Sequence, residues 1–263
     1  IDGGSNGVSV IDINGLGQTY QPDQESSISI SGFTITNGLT ASNEVASAIW
    51  LHGTSNIDLG INFENLIIEN NLASDGPTVY FYYTNQSQKM QLNNIVVRNN
   101  NSIQTFYGFN QEFEMNACEF YNNEGEITIS FWGNGNTSYS TIKNSILRDN
   151  LTSRDLNVTD AIIMNSNIMG NSLTNNFRGN SAVVNSIIGG GQFFTNDGLL
   201  TVKNSHLAEG QPQIINQITN FLTFEDNSEG EILYTDIGNN DFSLSDYSPA
   251  IGGGINSIEL YSI

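Results

Sequence analysis

Two nine-residue stretches decide the fold: Phe63-Glu-Asn-Leu-Ile-Ile-Glu-Asn-Asn71 and Leu92-Asn-Asn-Ile-Val-Val-Arg-Asn-Asn100. Each has an apolar residue at its first and sixth positions, an Asn at the third, and a pair of Asn at the end. Apolar and polar residues that alternate with a period of two are typical of a β-strand with one buried face. The recurrence of one unit indicates a repeat protein.

The third residue of the unit, which we call the anchor, recurs along the chain. The anchors are Gly32, Asn65, Asn94, Ala117, Asn144, Asn165, Asn185 and Asn204. Their spacing is 33 residues at the start and 19 at the end. The shortest spacings are close to the minimum for a three-sided coil of chain. The longer early spacings therefore predict loop insertions, mainly in the N-terminal half, on a constant strand core.

Two positions of the unit are apolar in every repeat. Two residues before the anchor stand Ile30, Phe63, Leu92, Met115, Ile142, Ile163, Val183 and Val202. Three residues after it stand Ile35, Ile68, Val97, Phe120, Leu147, Ile168, Ile188 and Leu207. Both rows are predicted to point inward and to stack. We therefore predict an all-β fold, a right-handed parallel β-helix of about nine to ten coils. It forms one domain over residues 1–263, with 240–263 as the closing segment.

The anchor itself breaks the alternation. Asn tolerates left-handed backbone angles, so the anchor is predicted to turn the chain sharply between two faces. A second corner is predicted five and six residues further on, at the paired Asn or Gly. Equivalent Asn side chains in stacked repeats can bond to one another as amide ladders, so most of the 39 Asn are given a structural role.

Charge limits the partners. The chain has 7 Lys and Arg against 27 Asp and Glu, a net charge of −20. Phosphate binding needs clustered cations, so nucleic acid is excluded, as is docking to an anionic membrane. No run of 18 apolar residues is present, so no membrane insertion is expected. Cys118 is the single cysteine, which excludes an internal disulfide, and its position predicts a buried thiol.

The Asn-Ser-Ile-Leu-x-x-Asn type of unit resembles the right-handed parallel β-helix superfamily, the pectate-lyase-like proteins. The stretch Asp241-Phe-Ser-Leu-Ser-Asp-Tyr-Ser-Pro-Ala-Ile-Gly-Gly-Gly254 is similar to the segment that closes the β-helix in bacterial surface proteins that carry a C-terminal sorting or anchoring region. The resemblance covers essentially the whole chain. It implies a secreted, bacterial cell-surface protein. Because the superfamily includes lyases, hydrolases and adhesins, it does not fix the activity.

One outward row carries candidate catalytic residues. Four positions after successive anchors stand Glu69, Arg98, Tyr121 and Arg148, with Glu119 beside Tyr121. A polysaccharide lyase needs a base and a cation that holds a uronate carboxylate. Either arginine is suited to hold the carboxylate, with Tyr121 as base or stacking platform. The alternative is a cross-strand ion pair between Glu69 and Arg98 beside a solvated arginine. A hydrolase needs two carboxylates at a set separation, and no outward Asp pair fits.

Aromatic residues in the predicted insertions suggest a sugar-binding role. Trp50, Tyr82, Tyr107 and Trp132 are the candidate ligand-binding residues. Aromatic rings in loops can stack on sugars, although packing against the rod is the commoner role of such residues.

Calcium is the one cofactor considered, and otherwise none is expected. Candidate ligands are Asp155 with Asp160, and Asp236 with Asp241, because carboxylates in loops suit Ca²⁺. No zinc motif is present. His52 falls in a predicted insertion and His206 on a late coil, so the two are too far apart to serve one nucleophilic site.

Four apolar residues are predicted to face outward two positions after their anchors: Ile67, Val96, Ile146 and Ile187. Either the segments 38–61 and 72–89 cover them, or they form an association face with another chain.

Two functions stay open. The first is a non-catalytic secreted or cell-surface module with a structural, adhesive or glycan-binding role. The second is a lyase, or a hydrolase, that acts on an acidic glycan at an outward strand face. The partner is accordingly a polysaccharide, a cell-surface glycan or another protein chain.

Overall fold

The computed structural model describes residues 1–4, 9–15, 26–41, 45–53, 59–82, 89–109, 112–132, 139–169, 174–189, 192–196, 198–208, 214–216, 222–236, 241–246 and 248. Within these residues the protein is all-β. Two large sheets with parallel pairing contain nearly all the strands, and one antiparallel pair follows near the C-terminus.

The first sheet has ten strands. They are β1 (Ile11–Gly15), β4 (Leu39–Thr40), β5 (Ile49–Gly53), β7 (Leu72–Tyr82), β9 (Asn101–Phe109), β12 (Glu124–Trp132), β15 (Leu151–Thr159), β18 (Thr174–Arg178), β21 (Gln192–Asn196) and β24 (Ile214–Asn216). Their order is β1-β5-β7-β9-β12-β15-β18-β21-β24, with β4 joined to β7. Spatial order therefore follows chain order, and each strand pairs with its counterpart one repeat later.

The second sheet has sixteen strands. They are β2 (Ser26–Ser31), β3 (Thr34–Thr36), β6 (Leu59–Glu69), β8 (Met90–Arg98), β10 (Phe113–Asn116), β11 (Glu119–Tyr121), β13 (Ser140–Lys143), β14 (Ile146–Arg148), β16 (Ala161–Met164), β17 (Asn167–Met169), β19 (Ser181–Val184), β20 (Ile187–Ile188), β22 (Leu200–Lys203), β23 (His206–Leu207), β25 (Leu222–Glu225) and β26 (Ser228–Glu229). The long strands β6 and β8 run through their anchors, whereas in the other repeats two short strands flank the anchor. The antiparallel pair is β27 (Tyr234–Asp236) and β28 (Asp241–Leu244).

The pairing register confirms the repeat alignment made from the sequence. Before the anchor, the paired residues are Phe63, Leu92, Met115, Ile142, Ile163, Val183 and Val202. After it, they are Ile35, Ile68, Val97, Phe120, Leu147, Ile168, Ile188 and Leu207. All of these side chains are buried in one hydrophobic cluster, as predicted, and Ile30 packs against it.

Phenylalanine fills the middle of this cluster. Phe113 lies 4.8 Å from Phe131 and 6.0 Å from Phe81, ring centroid to ring centroid. Phe106 stands edge-on to all three. Such aromatic pairs stabilise a fold by about 0.5–1.5 kcal/mol beyond the area they bury. Rings from both sheets therefore join the two sheets into one core.

The anchors have the left-handed backbone that the sequence predicted. The φ angle is 54° at Asn65, 52° at Asn94 and 54° at Ala117, and the later anchors are similar. The second corner, five residues on, is also left-handed, as at Asn99 and Asn122. Asn is favoured there because its short polar side chain bonds locally in this conformation, whereas most residues are strained by about 1–2 kcal/mol.

An amide ladder lies behind the second corner. The side-chain nitrogen of Asn71 donates to the side-chain oxygen of Asn100, Asn100 donates to Asn123, and Asn123 donates to Asn150, at 2.9–3.0 Å. Each of the first three also donates its backbone N–H to the next amide oxygen. All four side chains are buried. The predicted ladder is therefore present, and it satisfies backbone and side-chain polar groups together.

A second row of buried polar side chains, mostly serine, was not predicted from the sequence. The residue after the anchor points inward and is Ser145, Ser166, Ser186 or Ser205 in the later repeats. Each hydroxyl donates to the backbone carbonyl two residues before it. It also accepts a hydrogen bond from the backbone N–H of the equivalent residue in the preceding repeat. The row ends at Cys118, which is buried as predicted. The four serine hydroxyls of this row are tolerated in the core because each one has hydrogen-bond partners.

The early repeats differ from the predicted loop insertions. The described parts of segments 38–61 and 72–89 contain strands: β4, β5 and the start of β6 in the former, and β7 in the latter. The prediction that the aromatic residues lie in loops was thus wrong, because rings and buried aliphatic residues alternate there with the strand period. Residues 42–44, 54–58 and 83–88 lie outside the described part of the chain.

The C-terminal segment folds back over the second sheet. The hydroxyl of Tyr234 on β27 donates to the side-chain oxygen of Asn167 on β17, at 2.9 Å. Most of the predicted closing segment 240–263 lies outside the described residues.

In the part of the chain that the structure describes, no helix is long and apolar enough to span a bilayer.

Candidate functional site

Seven rings lie together on the outer face of the first sheet, and we call them the aromatic strip: Trp50, His52, Tyr80, Tyr82, Tyr107, Phe109 and Trp132. They come from four neighbouring strands, β5, β7, β9 and β12. Between them along the strands stand residues of the core, such as Leu51 and Phe81. Because side chains alternate across a sheet, the strip must face away from the core.

The strip has two rows. Trp50 pairs with Tyr80 and Tyr80 with Tyr107 in the first row. His52, Tyr82, Phe109 and Trp132 form the second. Parallel strands are about 4.8 Å apart, so four of them extend the strip over about 15 Å. This length matches a short oligosaccharide.

The rings of the strip contact one another. Tyr80 stacks on Tyr107 with ring centroids 5.0 Å apart, and Tyr82 stacks on Phe109 at 5.4 Å. Trp50 and His52 stack along their own strand at 3.7 Å. Stacked rings hold one another in place, so the strip is a rigid surface that loses little side-chain entropy when a ligand binds.

Polar groups border the strip. His52 bonds through Nε2 to Asp12 Oδ1 at 2.9 Å. The guanidinium of Arg178 lies 4.4 Å from the centroid of the Trp132 ring, and the indole N–H donates to Ser130 Oγ. Burial raises the pKa of the Tyr107 hydroxyl, and the neighbouring Tyr82 adds to the effect. Tyr107 is therefore a neutral hydrogen-bonding group at physiological pH.

The four binding residues predicted from the sequence, Trp50, Tyr82, Tyr107 and Trp132, all belong to the strip. Tyr82 is its most exposed member, at 36%. The other three members, His52, Tyr80 and Phe109, were not among the predicted binding residues. The signal was the spacing of two residues in Trp50-x-His52, Tyr80-x-Tyr82 and Tyr107-x-Phe109, each with its rings on one face of a strand.

The second candidate site lies on the outer face of the second sheet. Glu69, Arg98, Tyr121 and Arg148 occupy equivalent positions on four neighbouring strands, as predicted. Arg98 donates from Nε to Glu69 Oε2 at 2.7 Å and from a terminal nitrogen to the Tyr121 hydroxyl at 2.8 Å. These two bonds raise the pKa of Arg98, first through Tyr121 and then through Glu69. The predicted ion pair is thus present.

Arg148 is also engaged. Its guanidinium lies over the Tyr121 ring, 4.1 Å from the centroid, and donates to Asp149 at 2.9 Å. The residue is buried, with 7% of its surface exposed. Glu119 pairs with Val96 and Ile146 in the neighbouring strands and stands two residues before Tyr121. Both arginines therefore have carboxylate partners within the protein, which reduces their capacity to hold the carboxylate of a substrate.

The two histidines have separate surroundings. His206 is buried and bonds to Ser228 Oγ at 2.8 Å and to the Gly230 carbonyl at 2.9 Å. His52 lies on strand β5 and not in a loop. Burial raises the pKa of the Cys118 thiol to about 11, so it is not a reactive nucleophile.

The acidic residues considered for calcium do not form a larger cluster. Asp155 is buried on β15, whereas Asp160 accepts a bond from the Asn180 N–H at 2.8 Å. Asp236 and Asp241 are opposite each other across the antiparallel pair. No group of three or more His, Cys, Asp or Glu that could hold a metal occurs among the described residues. Calcium binding stays a prediction.

Comparison with known proteins identified no relative: no family model, no curated protein and no solved structure matches this chain.

Proposed function

We propose that this chain is a non-catalytic glycan-binding module of a secreted or cell-surface protein, and that the aromatic strip is its binding surface. We further propose that the parallel sheets wind as a right-handed β-helix of nine to ten coils, related to the pectate-lyase-like proteins. The strip carries the functional proposal. Seven rings on one outward face contribute nothing to the core, and aromatic rings on a rigid face suit the C–H faces of sugars.

The extracellular location is supported by composition. The chain is acidic, uses 13% charged residues, and keeps its single cysteine buried. A long repeat surface is also suited to an adhesive or structural role, in which a bound polysaccharide anchors the module to a cell wall or matrix.

Retention on gels that contain polysaccharide tests this proposal. The informative variants are Tyr82→Ala and Tyr107→Ala, with Tyr121→Ala as the matched control, because it removes a ring from the outer face of the other sheet. We expect each strip variant to weaken binding by about tenfold, whereas the control stays within about twofold. Equal losses in all three variants would refute the strip as the binding surface.

A polysaccharide lyase at Arg98, Tyr121 and Arg148 is the second candidate. Its support is the contact between three polar groups that the sequence placed in one row. Against it stand the bonds that Glu69 and Asp149 make to the two arginines. An absorbance assay for unsaturated uronate products on alginate, pectate and sulfated glycans separates the candidates. Product formation that Tyr121→Phe abolishes would favour the lyase.

A further inference from the structure

The aromatic strip continues into a polar surface on the next two strands of the first sheet. Its first row runs on from Tyr107 through Ser130, Asn157 and Asn176. Arg178 stands two residues after Asn176 on the same face of β18. The core residues Val158 and Phe177 alternate with these polar side chains along their strands. The polar surface therefore lies on the same outer face as the rings.

Hydrogen bonds connect this polar surface to a ring of the strip. Asn176 donates from its side chain to Asn157 Oδ1 at 2.9 Å, and Asn157 donates to Ser130 Oγ at 3.3 Å. The indole N–H of Trp132 donates to the same hydroxyl at 3.2 Å. The guanidinium of Arg178 lies 4.4 Å from the centroid of the Trp132 ring. These five residues form one connected group at the end of the strip, which we call the polar subsite.

Two buried polar atoms of the subsite have no hydrogen-bond partner within the described part of the chain. They are Asn176 Oδ1 and Arg178 Nε. Asn176 as a whole is only 8% exposed. Buried polar atoms in proteins are ordinarily paired, because an unpaired one destabilises the fold. Asn176 Oδ1 can only accept a hydrogen bond and Arg178 Nε can only donate one, so the two atoms are complementary to a group that does both.

We propose that the polar subsite binds a hydroxyl group of a sugar that lies on the strip, and that Asn176 and Arg178 select the ligand through it. This inference rests on the proposed function. One hydroxyl oxygen both donates to Asn176 and accepts from Arg178. A carboxylate has no proton to donate to Asn176, and an ammonium group has no lone pair to accept from Arg178. The selection concerns the group bound at this position and is independent of charge elsewhere on the glycan.

The hydroxyl reaches the subsite by displacing the side chain of Arg178. Both unpartnered atoms are shielded from solvent in the free protein, so a side chain has to move before a ligand contacts them. Arg178 extends from β18 across β15 to Trp132 on β12. Its contact with the indole is a cation–π contact at a partly exposed site, which is weak and easily exchanged. Its displacement uncovers a face of the indole for the sugar ring, so binding changes the surroundings of Trp132.

The experiment measures retention by gels that contain a soluble β-glucan or a galactomannan, each compared with its O-methylated form. A methyl ether accepts a hydrogen bond but donates none, so it cannot pair with Asn176 Oδ1. Soluble chitin oligosaccharides, added as competitors, test the other neutral group that donates and accepts, the acetamido group. Emission from Trp132 is read in a Trp50→Phe background, because these are the only two tryptophans of the chain.

The subsite variants are Asn176→Ala, which removes the acceptor, and Arg178→Met, which keeps the apolar stem but removes the donor. Their controls are Asn101→Ala, an exposed amide on the same sheet, and Arg154→Met, an exposed arginine on β15. Circular dichroism checks that each variant is folded. The comparison of the parent protein on native and methylated glycan needs no variant, so it tests the inference even if Asn176→Ala does not fold.

We expect each subsite variant to weaken retention by about tenfold and each control to stay within about twofold. Methylation is expected to weaken retention of the parent by about tenfold and that of Asn176→Ala by a smaller factor, because the bond it removes is already lost. Binding is expected to shift the Trp132 emission.

An equal effect of methylation on the parent and on Asn176→Ala, or an unchanged Trp132 emission with glycan bound, would overturn the inference and leave the proposed function intact. Competition by chitin oligosaccharides that Asn176→Ala abolishes would assign an acetamido group to the subsite and overturn the hydroxyl. Failure of every glycan to bind would instead refute the proposed function, and the inference would fall with it.

Discussion

The side-chain nitrogen of Asn100 lies 3.0 Å from the side-chain oxygen of Asn123, one repeat further along the chain, and both residues are buried. The same oxygen accepts the backbone N–H of Asn100 at 3.1 Å. The nitrogen of Asn123 in turn donates to the Val97 carbonyl and to Asn150. The buried Asn123 amide thus satisfies polar groups in both neighbouring repeats.

Replacing Asn123 by Ala is expected to destabilise the fold by about 3 kcal/mol, because each buried polar group left without a partner costs about 1–3 kcal/mol. Urea unfolding followed by circular dichroism measures the loss. The control is Asn101→Ala, which removes an exposed amide that bonds to Glu124. It is expected to cost less than about 0.5 kcal/mol. Equal losses would show that the ladder does not stabilise the protein.

The anchor at Ala117 offers a stabilising substitution. Its φ angle is 54°, but Ala lacks the side chain that bonds locally in this conformation. Asn94 and Asn144, the anchors on either side, each donate to an Asn of the preceding repeat at 2.7–2.8 Å. We expect Ala117→Asn to stabilise the protein by about 0.5–1 kcal/mol, measured as a higher urea midpoint. A lower midpoint would contradict the role assigned to the anchor.

The sequence predicted the second sheet in detail because its strands repeat one short unit. Phe63 and Leu92 are in the register expected from their anchors, and so are Arg98 and Tyr121 on the outer face. Alternation and the conformational freedom of Asn were sufficient for that result.

The first sheet was missed because its strands share a residue type at only a few equivalent positions, such as Tyr80 and Tyr107. Tyr107 is followed by Ser130 in the next repeat, and Phe109 by Trp132, so alignment by identity finds no unit. Only the alternation of rings with core residues marks those strands.

The inward hydroxyl of Ser145 was missed for another reason. The left-handed anchor shifts the alternation by one residue, so a polar residue that reads as outward points into the core.

Cys118 reports on the integrity of the core. Burial raises its thiol pKa from 9.0 to about 11, so the folded protein contains about 100-fold less thiolate than the unfolded chain at pH 8. We expect alkylation of the native protein to be slower by at least about this factor. The rate is measured by mass spectrometry with and without urea. Native alkylation as fast as that of the unfolded chain would place the thiol at the surface.

The pair of Lys143 and Glu114 on the second sheet predicts a pH-dependent contribution to stability. The pKa of Glu114 lies below its ordinary value of 4.5, first because Lys143 donates to its carboxylate and then because Gln91 does. A lowered pKa in the folded state means that stability is present above about pH 4.5 and is lost as the pH falls through the folded value.

Glu114→Gln is therefore expected to reduce the free energy of unfolding by about 0.5–1 kcal/mol at pH 7, a modest value because the pair is partly exposed. At a pH well below 4.5, under the lowered folded pKa of Glu114, the difference from the parent protein is expected to shrink toward zero, because the parent carboxyl is protonated there. Urea unfolding at both pH values measures it, with Glu64→Gln as an exposed control on the same sheet. A difference that grows as the pH falls would reverse the sign of the linkage and refute the ion pair as its source.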